Sequence, residues 1–98
     1  MPWTSETGRE DTRLAVSGAI DIFEAAALHK TLVDIVGVPG TAEVDLGACT
    51  DMDSSVVQLL VAFERARQAG GRAVRFTGQK GRVELLLSRF GVADGVTA

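Results

Sequence analysis

The sequence predicts an α/β domain in which a mixed β-sheet carries amphipathic helices mainly on one face, in the order β-β-α-β-α-β-α. Three observations lead there. Stretches with a two-residue apolar repeat alternate with stretches whose apolar residues recur every three or four positions, the pattern of strands alternating with helices. Each of the three helical stretches has one apolar stripe, and therefore one surface to bury. Hydrophobic residues make up 46% of the 98, enough for a core at a length that suits one domain over residues 1–98.

The elements follow in order. Residues 1–8 hold Trp3 and supply a first strand, with Gly8-Arg9 as the turn. Leu14 and Val16 alternate with Arg13, Ala15 and Ser17, as in a half-buried strand, which Gly18 ends. Asp21 is placed to cap a helix from about Ile22 to Val36, in which Ala25, Leu28, Leu32, Ile35 and Val36 form the stripe and Lys30, Thr31 and Asp34 face away. His29, the only histidine, flanks that stripe and is expected to be an ordinary boundary residue. Gly37-Val38-Pro39-Gly40 breaks the helix. Ala42, Val44 and Leu46 then share one face of a strand, followed by an expected loop from Gly47 to Asp53.

The next helix is expected over about Ser55 to Ala69. Val56, Leu59, Leu60 and Phe63 form its stripe, widened by Val57 and Val61. Ser55 and Gln58 have capping-box spacing, which makes Ser55 the expected N-cap. Glu64, Arg65, Arg67 and Gln68 in the last turns are expected to face solvent. Gly70-Gly71 stop the helix, and Val74 and Phe76 mark a strand that ends at Gly78. Val83, Leu86, Leu87 and Phe90 make the last helix, with Gly91 and Val92 as its C-terminal cap. Residues 93–98 leave room for no more than a fragment of strand.

Several functions lack a signature. No apolar run approaches the ~20 residues a membrane span needs, and residues 1–10 lack the apolar segment of a signal peptide. Membrane insertion is therefore not expected. The single Cys49 excludes an internal disulfide framework, fits a reducing cytoplasm, and has no basic neighbour to activate it. No glycine pattern matches a dinucleotide or Walker phosphate loop. There is no Gly-x-Ser-x-Gly elbow, and a triad of Ser54, His29 and an aspartate would need three unrelated placements. Asp45, Asp51 and Asp53 cluster near one strand end, but complementing a helix N-terminus accounts for the last two without a metal. No catalytic, metal or cofactor site is assigned.

Charge is uneven along the chain. Residues 1–63 carry three basic and ten acidic side chains, whereas residues 64–90 carry seven basic and two acidic. A net charge of −3 argues against nucleic-acid binding. The asymmetry suits either a charged protein partner or a plain solvated surface.

The chemistry concentrates in Asp51-Met52-Asp53-Ser54-Ser55-Val56-Val57-Gln58, two hydroxyls and two carboxylates at a strand-to-helix turn. A helix start presents unpaired N–H groups and the positive end of the helix dipole, a place suited to an anion, including a phosphate on a serine.

Val44-Asp45-Leu46, followed by Met52-Asp53-Ser54-Ser55, resembles the hallmark of STAS domains, the anti-sigma factor antagonists and the cytoplasmic domains of sulfate transporters. Gly18-Ala19-Ile20-Asp21 is similar to an earlier Gly-x-Leu-Asp element of that family. Gly70-Gly71 and Leu86-Leu87 with Phe90-Gly91 also match. The likeness covers about Leu14 to Val92. It departs at Val56-Val57, where the family has glycine and then leucine.

The resemblance implies an anti-sigma factor antagonist without enzymatic activity, working by partner switching in the cytoplasm. Its partner would be an anti-sigma factor that is also a serine kinase with a histidine-kinase-type ATPase fold. That kinase would phosphorylate Ser54, and a serine phosphatase would reset it. Asp21, Asp51, Asp53, Ser55 and Val56 would border the partner surface. The resemblance also allows a STAS adaptor subunit of a lipid-transport ABC ATPase complex, a stress-signalling scaffold without phosphorylation, or a small-molecule or nucleotide sensor.

Overall fold

Among the described residues five strands form one sheet in the order β1-β2-β3-β4-β5: β1 (Trp3–Thr7), β2 (Asp11–Ile20), β3 (Thr41–Met52), β4 (Val74–Thr77) and β5 (Gly95–Thr97). The computed structural model describes residues 3–8, 11–90 and 95–97. The first and last pairs of strands are antiparallel, and β2–β3 and β3–β4 are parallel. Parallel neighbours need a crossover. Helix α1 (Ala25–Ile35) connects β2 to β3, and α2 (Ser54–Ala69) connects β3 to β4; α3 (Gly81–Arg89) follows β4. The mixed sheet and the order of helices are those the sequence predicts, with β5 added on the edge where the sequence allows only a fragment. The cap expected at Gly91 and Val92 lies outside the described residues.

The helices cover one face of the sheet. Leu14, Val16 and Ile20 of β2, Ala42, Val44 and Leu46 of β3, and Val74 and Phe76 of β4 are buried, and they join the helix stripes in one core. The alternate residues Arg13, Glu43 and Arg75 lie on the open face. Trp3 is buried at the edge, and its indole N–H donates to the Thr31 hydroxyl of α1 at 3.2 Å. This ties β1 to a helix position that periodicity assigns to solvent. The backbone N–H of Gly8 donates to the Asp11 carbonyl at 2.8 Å at the hairpin.

Strand β3 is longer than expected, and the loop predicted from Gly47 is replaced by strand as far as Met52. The reason is two irregularities in its pairing with β2. Ala15 and Ser17 oppose Asp45 and Ala48, and Gly18 and Ala19 oppose Cys49 and Asp51, so β3 spends one extra residue at each step. Bulges of this kind shift the side-chain alternation. The buried residues accordingly run 42, 44, 46, then 49 and 52. β2 likewise continues past Gly18, which adopts φ 71, to Ile20. The Asp45 carboxylate accepts the Gly47 N–H at 2.9 Å beside the first irregularity. Gly78, at φ 74, passes so close that a Cβ there would lie 2.7 Å from the Gly47 backbone.

Arg67 and Glu64 are buried, contrary to the solvent-facing role their polarity suggests. The guanidinium of Arg67 donates to the carbonyls of Ile35, Val36, Val38 and Gly40, at 3.2, 3.2, 2.9 and 2.7 Å, and its Nε donates to Ala73 at 3.4 Å. The carbonyls at the end of a helix have no intrahelical donors, and this end also attracts a cation. One arginine of α2 therefore closes α1 and holds the turn leading into β3. No helix among the described residues is long and apolar enough to cross a membrane.

Candidate functional site

The parallel strands β2 and β3 end side by side, with Ile20 opposite Met52. The next residue of each chain segment, Asp21 and Asp53, starts a helix. Asp21 caps a short 3-10 turn (Ile22–Glu24) that leads into α1, and its carboxylate accepts the Phe23 N–H at 3.0 Å. The Asp53 N–H donates to the Ile20 carbonyl at 2.9 Å, which locks the two helix entries together. Both carboxylates are exposed.

Asp53, in extended conformation, is the N-cap of α2. This corrects the expectation that Ser55 caps the helix. One Asp53 oxygen accepts both the Ser55 N–H at 2.9 Å and the Ser55 hydroxyl at 2.7 Å. Those bonds, the hydroxyl first, hold the Asp53 carboxyl below the usual carboxylate range. The aspartate is the acceptor that orients Ser55. Ser54 occupies the first position of the helix and is exposed. The two serines are thus separated by geometry: one hydroxyl is tied to a carboxylate, and the other stands at the surface of a helix start.

Asp51 sits at the end of β3 and bonds its own neighbour, accepting the Met52 N–H at 2.9 Å. Its carboxylate also pairs with Arg82 of α3 at 2.7 Å. No motif marks Arg82. The only hint is the basic balance of residues 64–90, which here folds back onto an acidic strand end. Val56 is 1% exposed and Val57 fully buried, so Val56 belongs to the core and not to the surface formed by Asp21, Asp51, Asp53, Ser54 and Ser55. Cys49 is buried, which pushes its thiol pKa up and leaves it a poor nucleophile.

Two apolar side chains adjoin this surface: Ile22 is 58% exposed and Phe23 89% exposed. Both follow the Asp21 cap and fall off the α1 stripe, the one sequence signal that sets them apart. A shallow hollow lined by Ala25, Ala26, His29, Ser55 and Leu59 continues the surface between the helices. Among the described residues no group of three or more His, Cys, Asp and Glu side chains could hold a metal ion. The arrangement offers an exposed hydroxyl at a helix start, flanking carboxylates and an exposed aromatic residue, a surface suited to contact with a partner.

Comparison with known proteins follows the same lines. The family model described as "Mlab, STAS domain" matches residues 3–97. The fold is similar to that of the anti-sigma factor antagonist SpoIIAA in its unphosphorylated form, at 17% identity and a TM-score of 0.77, over 94% of this chain and 84% of that one. It is also similar to the Bacillus cell fate determinant SpoIIAA in the phosphorylated form, at 18% identity and a TM-score of 0.76, over 91% and 83% of the two chains. The murine anion transporter Slc26a9 contains a similar region, at 11% identity and a TM-score of 0.70, covering 89% of this chain and 15% of the transporter. No curated protein matches the sequence. At these identities the likeness to solved structures establishes the fold.

Proposed function

The chain belongs to the STAS domain family, and from that premise we propose that it is an anti-sigma factor antagonist that regulates transcription by partner switching. It binds, in the cytoplasm, an anti-sigma factor that is a serine kinase of the histidine-kinase ATPase fold. Phosphorylation of Ser54 by that kinase breaks the complex, and a serine phosphatase restores it. The chain itself performs no catalysis. The observation that carries this reading is the division of labour between the two serines: Asp53 holds the Ser55 hydroxyl, whereas Ser54 is exposed at the first position of α2.

The physics of the switch is local. A phosphate adds close to two negative charges at pH 7. The N-terminal end of α2 tolerates that charge within the domain. A partner surface that accommodates Asp21, Asp51 and Asp53 meets extra negative charge and a bulkier group, so binding weakens without refolding. Incubation with the cognate kinase and ATP, followed by mass spectrometry, is expected to place one phosphate on Ser54. Phosphate on Ser55 alone, or none, refutes the switch.

A second reading is an adaptor that docks on an ATPase without modification, as in a lipid-transport ABC complex or a stress-signalling scaffold. Phe23 favours it, because an aromatic anchor that is 89% exposed beside the site contributes to binding whatever the charge on Ser54. Under that reading, Phe23→Ala weakens ATPase binding and Ser54→Asp does not.

A further inference from the structure

The open face of the sheet carries an ordered row of charges. Glu6 of β1 pairs in register with Arg13 of β2, Arg13 with Glu43 of β3, and Glu43 with Arg75 of β4. The row therefore reads minus, plus, minus, plus across four adjacent strands. At about 4.8 Å per strand it spans roughly 14 Å. It borders a concavity of about 560 Å³. Next to it on the same face, Ala15 lies in register with Asp45, and Ser17 with Ala48. These side chains are short enough to let another surface approach.

Such a row is complementary to itself when turned end for end. In a two-fold arrangement whose axis passes between β2 and β3, Glu6 meets Arg75 of a second copy and Arg13 meets Glu43. Each contact then occurs twice, as an isologous interface requires. Arg13 already touches Glu43 at 3.8 Å and pairs with Asp45 within its own sheet. Glu43 also accepts the Thr77 hydroxyl at 2.9 Å. The side chains of Arg13 and Glu43 nevertheless remain 46% and 36% exposed, which leaves part of each open to a second copy.

We propose that this sheet face is a self-association surface, on which two copies of the chain pack through antiparallel matching of the Glu6–Arg13–Glu43–Arg75 row. The interface is polar, so it is weak and sensitive to salt. It also lies away from Ser54: the row crosses β3 near its start, whereas Asp53 and Ser54 follow its end. A dimer of this kind leaves the helix start free, and the proposal stands or falls independently of phosphorylation.

The test is sedimentation velocity of the purified chain from micromolar to millimolar concentration, at about 20 mM and about 500 mM salt. The wild type is expected to dimerise at low salt and to lose at least tenfold in association constant at high salt. Arg13→Glu and Glu43→Arg, each alone, bring like charges together and are expected to be monomeric. Mixed one to one they pair as a heterodimer, because positions 13 and 43 then carry opposite charges at both of their contacts across the interface. Circular dichroism and Trp3 fluorescence check folding. If a reversal unfolds the sheet, Arg13→Gln and Glu43→Gln replace it, each with an expected loss of at least tenfold in association. A wild type that is monomeric at millimolar concentration and low salt overturns the proposal. So do reversal variants that dimerise as well as the wild type, or folded variants that fail to pair when mixed.

Discussion

A single carboxylate decides what each serine of the Asp-Ser-Ser trio can do. Both serines and their place at a helix start are legible in the sequence. Which residue caps is not, because Ser55 with Gln58 and Asp53 with Ser55 are both sensible capping arrangements on paper, and backbone geometry chooses Asp53. Since the Asp53 pKa is depressed in the folded state, its contribution to stability is present above the unfolded value of about 3.9 and is lost as pH falls through the folded value. Asp53→Asn is therefore expected to flatten the stability profile as pH falls below the unfolded carboxylate value, as followed by urea unfolding at each pH. An unchanged profile would mean that the cap bond carries no linkage. Arg67 is the residue least legible from pattern, since periodicity puts charged residues outside and cannot foresee a cluster of carbonyls at a chain turn that converges on one guanidinium. Arg67→Gln removes the charged fork from those carbonyls and is expected to cost about 3 kcal/mol. Arg67→Lys, a point charge in place of a fork, is expected to recover only part of it. Urea denaturation measures both.

Elements are read best where the repeat is unbroken. α1, α2, α3 and β4 match their expected positions closely because each keeps one period from end to end. Periodicity cuts β3 short because two irregularities in its pairing move the buried side chains from a spacing of two to a spacing of three. The same irregularities carry the strand on to Met52, where it delivers Asp53 and Ser54 to the surface beside Asp21. Beside the first bulge the backbones of Gly47 and Gly78 cross closely. Gly78→Ala forces a side chain onto a left-handed backbone position and into that crossing. Destabilisation of about 2 kcal/mol or more is expected, seen as a lower Tm. Gly71→Ala, also left-handed but with open space around it, is expected to cost less.

At the scale of the molecule, the sheet divides the labour between its surfaces. One face is buried under three helices, the opposite face carries the charge row, and the ends of β2 and β3 present the serine surface. The fold class and the one-sided layering follow from strands and helices alternating in order, each helix with one stripe. The charge asymmetry is visible in the sequence too, but not its use: part of the basic stretch returns to the acidic strand end through Arg82 and Asp51, part is buried as Arg67, and part joins the open face as Arg75. The departure at Val56 and Val57 also has its place at this scale, because both valines fill the core beneath the helix start and leave the surface to the polar residues. The function of that surface is tested by introducing phosphoserine genetically at position 54 and measuring affinity for the cognate anti-sigma kinase by calorimetry. If Ser54 is the switch, binding is at least tenfold weaker than for the unmodified chain, a loss of about 1.4 kcal/mol or more; equal affinity of the two forms contradicts that role.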